Sequence, residues 1–351
     1  SHVSFVINRN INYTNICNYR CQFCAFAKGK ISENLRGTPY VMELDEIKRR
    51  VREAVERGAT EICMQGGIHP SFSGKTYLEI LGAARSAAPE IHIHAFSPLE
   101  VMHGATTLSI SVREFLEELK AKGLNTLPGT AAEILHDPVR RLICPDKVST
   151  QQWLEIMRTA HQVGLRSTST IMFGHVEGYK DLARHLLALY TLQRETGGFT
   201  EFVPLPFVHM ESPIYRKGNA RKGPSFREAI LMHAIGRLML HPWISNIQAS
   251  WVKMGLKGVH GCLLAGANDL GGTLMNESIS RAAGAAHGQE LDADQMREQI
   301  RVWGRIPLQR TTLYGVPGKT SMPPQTILLS ECINLKPVNI MAVSGNHSFN
   351  S

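Results

Sequence analysis

An alternation of short apolar runs with amphipathic helical stretches constrains this chain more than anything else in it. Residues 3–14 read as extended. Over 43–57 Leu44, Ile47, Val51 and Val55 recur at helical spacing, with Gly58 placed to stop the helix. Residues 60–65 form a short apolar strand that ends at Gly66 and Gly67, and the unit then repeats. Helices are expected over 76–87, 112–122, 180–195 and 226–240, and over a segment from a Thr150 cap to residue 163. Strands are expected over 91–96, 124–127, 166–173, 201–207 and 244–250, with a polar stretch at 136–149, a glycine-rich strand and loop at 263–274, and helices near 278–286 and 292–304. Strand followed by helix with short turns argues for a parallel sheet. At this many units a barrel closes more readily than an open sheet, and 351 residues hold one α/β barrel of roughly 250 residues with extensions.

Composition removes several classes. Hydrophobic residues at 43% with charged residues at 19% support a large core and exclude disorder of the whole. The formal charge of +8 and a pI near 9.2 raise nucleic acid as a partner, but Lys and Arg are scattered and aromatics do not interleave with them. Anionic small molecules explain the excess equally well, and no nucleic-acid partner is expected. No apolar run approaches the ~20 residues of a membrane span, and the opening SHVSFVINRN is not a signal peptide. The expectation is a soluble cytoplasmic protein, or an organellar one if a targeting segment upstream has been removed.

Within 12–26, NYTNICNYRCQFCAF, Cys17, Cys21 and Cys24 lie four and three apart, with Phe23 directly before the last. Thiolates so spaced can close around one soft metal centre, and three of them leave a four-metal cluster with one open coordination site. A zinc ribbon would want a second CxxC or CxxH pair, and none follows at a plausible distance. The plainer alternative is three buried cysteines that happen to be neighbours. Cys63, Cys144, Cys262 and Cys332 read as small buried hydrophobes, and an odd total of seven suits a reducing compartment.

In barrels of this kind the loops after the strands carry the active site. The unusual residues fall there: Gln65, Gly66 and Gly67 after the second strand, Glu133 past the fourth, residues 174–177 at the end of the fifth, and 209–211 past the sixth. Gln248 and Ser250 end the seventh, and Asn268 and Asp269 fall in the loop of the eighth. Each has a second reading. The glycines also suit a tight turn, Glu133 a solvated first helical turn, and His175 and His209 surface or satisfied core positions. Met64 and Met172 read as barrel filling. Gln248, an amide at a strand end, needs partners, and a substrate is one candidate.

The run CNYRCQFC, Cx3Cx2C with an aromatic before the last cysteine, resembles the radical S-adenosylmethionine (SAM) enzymes. NRNINYTN, CQFCAF, MQGGIHP, CPDKVSTQQWLEIMRTAH, STIMFGHVE, FVPLPFVH, QASWVKMG and AGANDLGGTLMNE, spread over 3–314, resemble the CofH type of FO synthase. The resemblance implies a TIM-like (β/α) barrel of the radical SAM type with a C-terminal extension. It implies a 4Fe-4S cluster on Cys17, Cys21 and Cys24, whose open iron binds SAM for cleavage to a deoxyadenosyl radical. It also implies transfer of the 4-hydroxybenzyl group of L-tyrosine to 5-amino-6-(D-ribitylamino)uracil after Cα–Cβ cleavage. An electron donor and the other FO synthase half would be partners. Carried onto this sequence, Phe23 packs near the adenine, Gln65, Gly66 and Gly67 meet the methionine amine, Glu133 the ribose, and 171–174 the adenine edge through Ile171 and Gly174. The turn is QGG where many members have GGE. Gln248, Ser250, His209 and Asn268 are the candidates for tyrosine and uracil. The runners-up are an aminofutalosine synthase-like radical enzyme and a non-catalytic iron–sulfur or zinc protein. The family's helical sequence before the first strand is missing, so 1–315 is expected to be a barrel domain lacking its N-terminal part, and 316–351 an irregular or disordered tail.

Overall fold

The computed structural model describes residues 2–27 and 38–318. The chain divides into a unit Ser1–Pro317 and a unit Gly318–Ser351, and the expected irregular tail lies, past residue 318, outside the described residues. The strands are β1 (His2–Val6), β2 (Asn8–Asn12), β3 (Glu61–Gln65), β4 (His92–Ala95), β5 (Thr126–Leu127), β6 (Arg166–Phe173), β7 (Phe199–Pro206), β8 (Asp269–Gly272) and β9 (Ile306–Gln309). Six of them form one parallel sheet in the order β2-β3-β4-β5-β6-β7. The ring then closes: Phe202 of β7 pairs in parallel with Ile247, Gln248 with Asp269 of β8, and β8 with β1. Since β1 and β2 are consecutive parts of one extended run, the result is a closed barrel of parallel strands.

The core follows from side-chain type. β6, RSTSTIMF, is rich in β-branched residues and buried from Ser167 to Phe173, as expected of a parallel strand covered on both faces. The helix Leu44–Glu56 turns Ile47, Val51 and Ala54 inward. Helix starts are set by Ser-x-x-Glu and Ser-x-x-Gln boxes: Ser97 with Glu100, Ser111 with Glu114, Ser149 with Gln152 and Ser225 with Glu228. The cap of the helix Thr150–Gln162 is therefore Ser149 and not Thr150, because the Ser149 hydroxyl reaches Gln152 N at 3.2 Å.

Four further expectations change. The helix Pro98–Leu108 was not anticipated, although its capping box is plain in the sequence. The stretch 136–149 contains a helix, Asp137–Ile143, tied down by buried Arg140, whose guanidinium donates to the carbonyls of Ala131 at 3.2 Å and Val148 at 3.1 Å. The seventh strand is reduced to two bridging residues, Ile247 and Gln248. The region 263–274 belongs to two elements, the end of the helix Trp251–Leu264 and β8, because glycines at 255, 258 and 261 hide the helical period. β9 is an addition that pairs with β1 from His2 opposite Ile306 to Phe5 opposite Gln309.

The lower end of the barrel is sealed by polar side chains at the strand starts. The Arg310 guanidinium forks onto Asp269, at 2.5 and 2.9 Å, and Tyr314 Oη donates to Glu201 at 2.6 Å. Thr312 and Asn8 each donate to Glu61, both at 2.7 Å. Burial is tolerated because each charge has partners. Burial pushes the Glu201 carboxyl up to about 7, with Arg310 pulling it back and Asp269 adding to the rise. Among the described residues no helix is long and apolar enough to cross a membrane.

Candidate functional site

At the opposite end, where the strands finish, a cavity of about 240 Å³ opens. Its wall takes residues from almost every strand end: Asn12 and the cysteine loop after β2, Gln65 to Ile68 after β3, and Ser97 and Glu100 after β4. Thr130 and Glu133 follow β5, Met172 comes from β6, Leu205 to Val208 from the end of β7, Lys253 from beyond the seventh position, and Ile279 from beyond β8.

Cys17, Cys21 and Cys24 all line this cavity, each partly buried. Their loop is anchored by Asn18 N on the Ile68 carbonyl at 2.9 Å and by Gln22 N on the Ile143 carbonyl at 2.7 Å. Two backbone amides already point at sulfur: Ile68 N at 3.3 Å from Cys17 Sγ and Ala27 N at 3.4 Å from Cys24 Sγ. Such donors stabilise thiolate sulfur and suit an iron–sulfur cluster. Among the described residues no three Cys, His, Asp or Glu side chains converge as they would around one metal ion. Burial pushes the Cys21 and Cys24 thiols up, so ligation needs the metal's charge to displace the protons.

Phe23 also lines the cavity, with Lys147 Nζ 5.1 Å from its ring centre. Lys147 pairs with Glu133 at 2.7 Å, both nearly buried. Burial opposes the ammonium, but Cys21 and Glu133 outweigh it and hold the Lys147 pKa above its ordinary range. Glu133 has a positive φ of 46°, so the backbone turns sharply there, and its carbonyl accepts from Met172 N at 2.7 Å. It is not a solvated residue of a helical turn.

The Gln65, Gly66, Gly67 turn lies beside the cysteines, and Gln65 Oε1 accepts from Thr130 Oγ1 at 3.1 Å. Gly66 N donates to Glu100 Oε1 at 3.1 Å and Gly67 N to the Thr14 carbonyl at 2.9 Å, so both turn amides are engaged within the chain. A Cβ on Gly67 would stand 2.3 Å from the Ile16 carbonyl oxygen, which makes this a close approach of two backbones. Glu100 also accepts from Tyr13 Oη and from Ser97 Oγ. Burial pushes its carboxyl up while the Ser97 and Tyr13 bonds hold it down.

Other candidates fall elsewhere. Ile171 is buried in β6 and Gly174 packs on Pro224, its N donating to Glu177 at 2.5 Å; of residues 171–174 it is Met172, read as filling, that lines the cavity. His175 is a satisfied core histidine, 3.1 Å from the Met172 carbonyl. None of the four substrate candidates is on the wall. His209 packs on the Tyr215 ring, 4.4 Å between centres. The Gln248 amide lies against Gly271, and Ser250 is buried at the start of the helix Trp251–Leu264. Asn268 does not follow the eighth strand but immediately precedes it, at the sealed end, and its amide oxygen accepts from Arg237 at 2.7 Å and Ile247 N at 2.8 Å. Glu100, Lys147 and Lys253 were missed as site residues. Glu100 was signalled by its capping box; the lysines have no local signature.

Residues 11–189 match the family model of the radical SAM superfamily, and 196–321 that of the CofH/MqnC C-terminal region. A protein of Methanopyrus kandleri named 5-amino-6-(D-ribitylamino)uracil--L-tyrosine 4-hydroxyphenyl transferase is 49% identical over 313 residues, 89% of this chain and 84% of that one. Its namesake in Archaeoglobus fulgidus is 49% identical over 90% of this chain and 88% of its own. FO synthase of Mycobacterium tuberculosis is 49% identical over 90% of this chain, which spans only 36% of that longer protein. Among solved structures, methylornithine synthase aligns with a TM-score of 0.65 at 17% identity over 87% of this chain and 83% of that one. The FeFe-hydrogenase maturase HydG of Carboxydothermus hydrogenoformans aligns at 0.66 and 16%, over 89% and 69%. At these identities the structures speak for the fold alone.

Proposed function

The chain belongs to the radical SAM superfamily and, within it, to the tyrosine 4-hydroxyphenyl transferase family, and from that premise we propose that it joins the 4-hydroxybenzyl group of L-tyrosine to 5-amino-6-(D-ribitylamino)uracil in FO (deazaflavin coenzyme) biosynthesis. The Cα–Cβ bond of tyrosine breaks, its benzyl carbon bonds to the uracil, and the remainder leaves as the imine of glycine. A 4Fe-4S cluster with an open iron, together with SAM, supplies the one-electron chemistry that begins this by making a hydrogen-abstracting carbon radical.

In this reading Cys17, Cys21 and Cys24 hold the cluster. Phe23, the Gln65 to Gly67 turn, Glu133 and Met172 form the wall beside it and bind SAM, with Ile171 and Gly174 fixing the backbone on either side of Met172. The apolar run Leu205 to Val208, with Ile279 and Ala283, keeps water from a reactive radical. Residues 1–315 serve as the catalytic unit. An external donor delivers the electron in a reducing cytoplasm, and a partner half, fused in the longer FO synthases, receives the product. The observation that carries the reading is the presence of all three thiols on the wall of one cavity at the strand ends.

The test is anaerobic turnover of the reconstituted full chain with dithionite, SAM, tyrosine and the uracil. The expected result is an adduct of hydroxybenzyl-plus-uracil mass together with 5′-deoxyadenosine. Absence of deoxyadenosine would overturn the radical reading, and turnover of an enolpyruvyl benzoate in place of tyrosine would overturn the substrate.

A further inference from the structure

Four charged side chains line the cavity, and three are accounted for within it. Glu100 is held by Tyr13, Ser97 and Gly66, and Glu133 and Lys147 neutralise each other. Lys253 remains. Among the described residues no carboxylate comes within ion-pairing reach of it, and its described partner is neutral: Nζ donates to Ser280 Oγ at 3.0 Å. An ammonium has three donors, so two are left for something else. Burial holds the Lys253 pKa down, partly offset by the more distant Glu277 and Glu133. Ser280 is fixed in turn, its N donating to Glu277 Oε1 at 2.8 Å, while Glu277 Oε2 is buried with no hydrogen-bond partner among the described residues. A buried ammonium on a cavity wall with two unused donors suits a carboxylate ligand.

We propose that Lys253 binds the α-carboxylate of the substrate tyrosine, with Ser280 accepting one hydrogen bond from the lysine ammonium and so fixing its position. The inference rests on the transferase reading above and adds to it the residue that recognises an amino acid as such. SAM also carries an α-carboxylate, but the placement favours tyrosine. Cys17 is reached from Ile68 after β3, and Cys21 and Phe23 adjoin Lys147 and Glu133 after β5. Lys253, with Ile279 and Ala283, forms the wall drawn from the far end of the chain, beyond the seventh position and β8. A paired buried charge is a strong determinant of binding, since removing one member leaves the other unsolvated.

The experiment uses the reconstituted full chain. Lys253→Met should raise KM for tyrosine roughly 30-fold or more with KM for SAM unchanged, and Lys253→Arg should recover most of the loss. An unchanged KM for tyrosine, or a rise in KM for SAM instead, overturns the assignment. A second arm needs no variant and no turnover: equilibrium binding of tyramine, which keeps the phenol and amine but lacks the carboxylate, should be roughly 30-fold weaker than that of tyrosine. Equal binding, or no tyrosine binding, overturns the proposal even if both variants fail to fold. The two readings fail separately, because tight carboxylate-dependent binding of tyrosine without adduct would sink the transferase and leave the Lys253 anchor standing.

Discussion

Gly67 shows how closely the cysteine loop is packed. Because a Cβ there meets the Ile16 carbonyl oxygen at 2.3 Å and Cys17 Cβ at 2.9 Å, Gly67→Ala should push the loop out of place and abolish iron loading. The barrel should stay folded; full iron content in the purified variant would count against this account of the loop. Glu133→Gln should leave Lys147 charged and poorly compensated, at a cost on the order of 3 kcal/mol in urea denaturation of the cluster-free protein. If the pair is the cause, adding Lys147→Met should recover part of that loss. The two groups of residues differ in how far the sequence announces them. Three cysteines in eight residues are a local pattern, and spacing alone exposes them. Lys147 and Lys253 look like any other scattered cations, and only the fold shows that one is neutralised and the other is not. Gln248 is a candidate as an amide at a strand end that needs partners, and Asn268 as a residue in the loop of the eighth strand; the chain itself supplies the partners of Asn268, which depends on where Arg237 and Ile247 come to lie.

Elements were legible where their signals are local. β6 and the helix Phe226–Leu240 keep the bounds that propensity and period suggest, and Ser-x-x-Glu boxes mark helix starts even where a helix was overlooked. The seventh position of the barrel was not legible, because two bridging residues satisfy closure and a full strand is unnecessary. The helix after it is kinked at Gly255, with φ 66° and ψ 168°, a conformation open essentially to glycine alone. The kink separates the first turn, which carries Lys253, from the rest of the helix. Gly255→Ala should therefore cost about 1–3 kcal/mol, read by denaturant unfolding, and its Cβ would also press on the His287 ring at 2.9 Å. A variant as stable as the parent would mean that the kink is not required.

The whole molecule places a reactive mouth at one end of its strands and a charged seal at the other. Glu201 in that seal keeps its proton to about pH 7 when folded, against an ordinary value of 4.5. The folded state thus binds more protons than the unfolded one between those values, so the contribution of Glu201 to stability is complete below about 4.5 and is lost as pH rises through about 7. Melting temperatures taken between about pH 5 and about pH 8 should fall more steeply for the parent than for Glu201→Gln; parallel curves would dismiss the effect. The barrel class itself was readable from the alternation of strands and helices, but the seal was not, since its members are scattered: one residue each from β2, β3, β7 and β8, and three from the segment after β9.

Closure also sets a schedule for the chain. Ser4 in β1 lies between Asp269 and Leu308, so its final neighbour is about 300 residues away in sequence. At a synthesis rate of roughly 5–20 residues per second, that strand waits on the order of 15–60 s beside a ribosome before both its edges can be covered. During that interval it is an aggregation hazard, and the ring whose mouth carries the cysteines is complete only when nearly all of the described chain has been made.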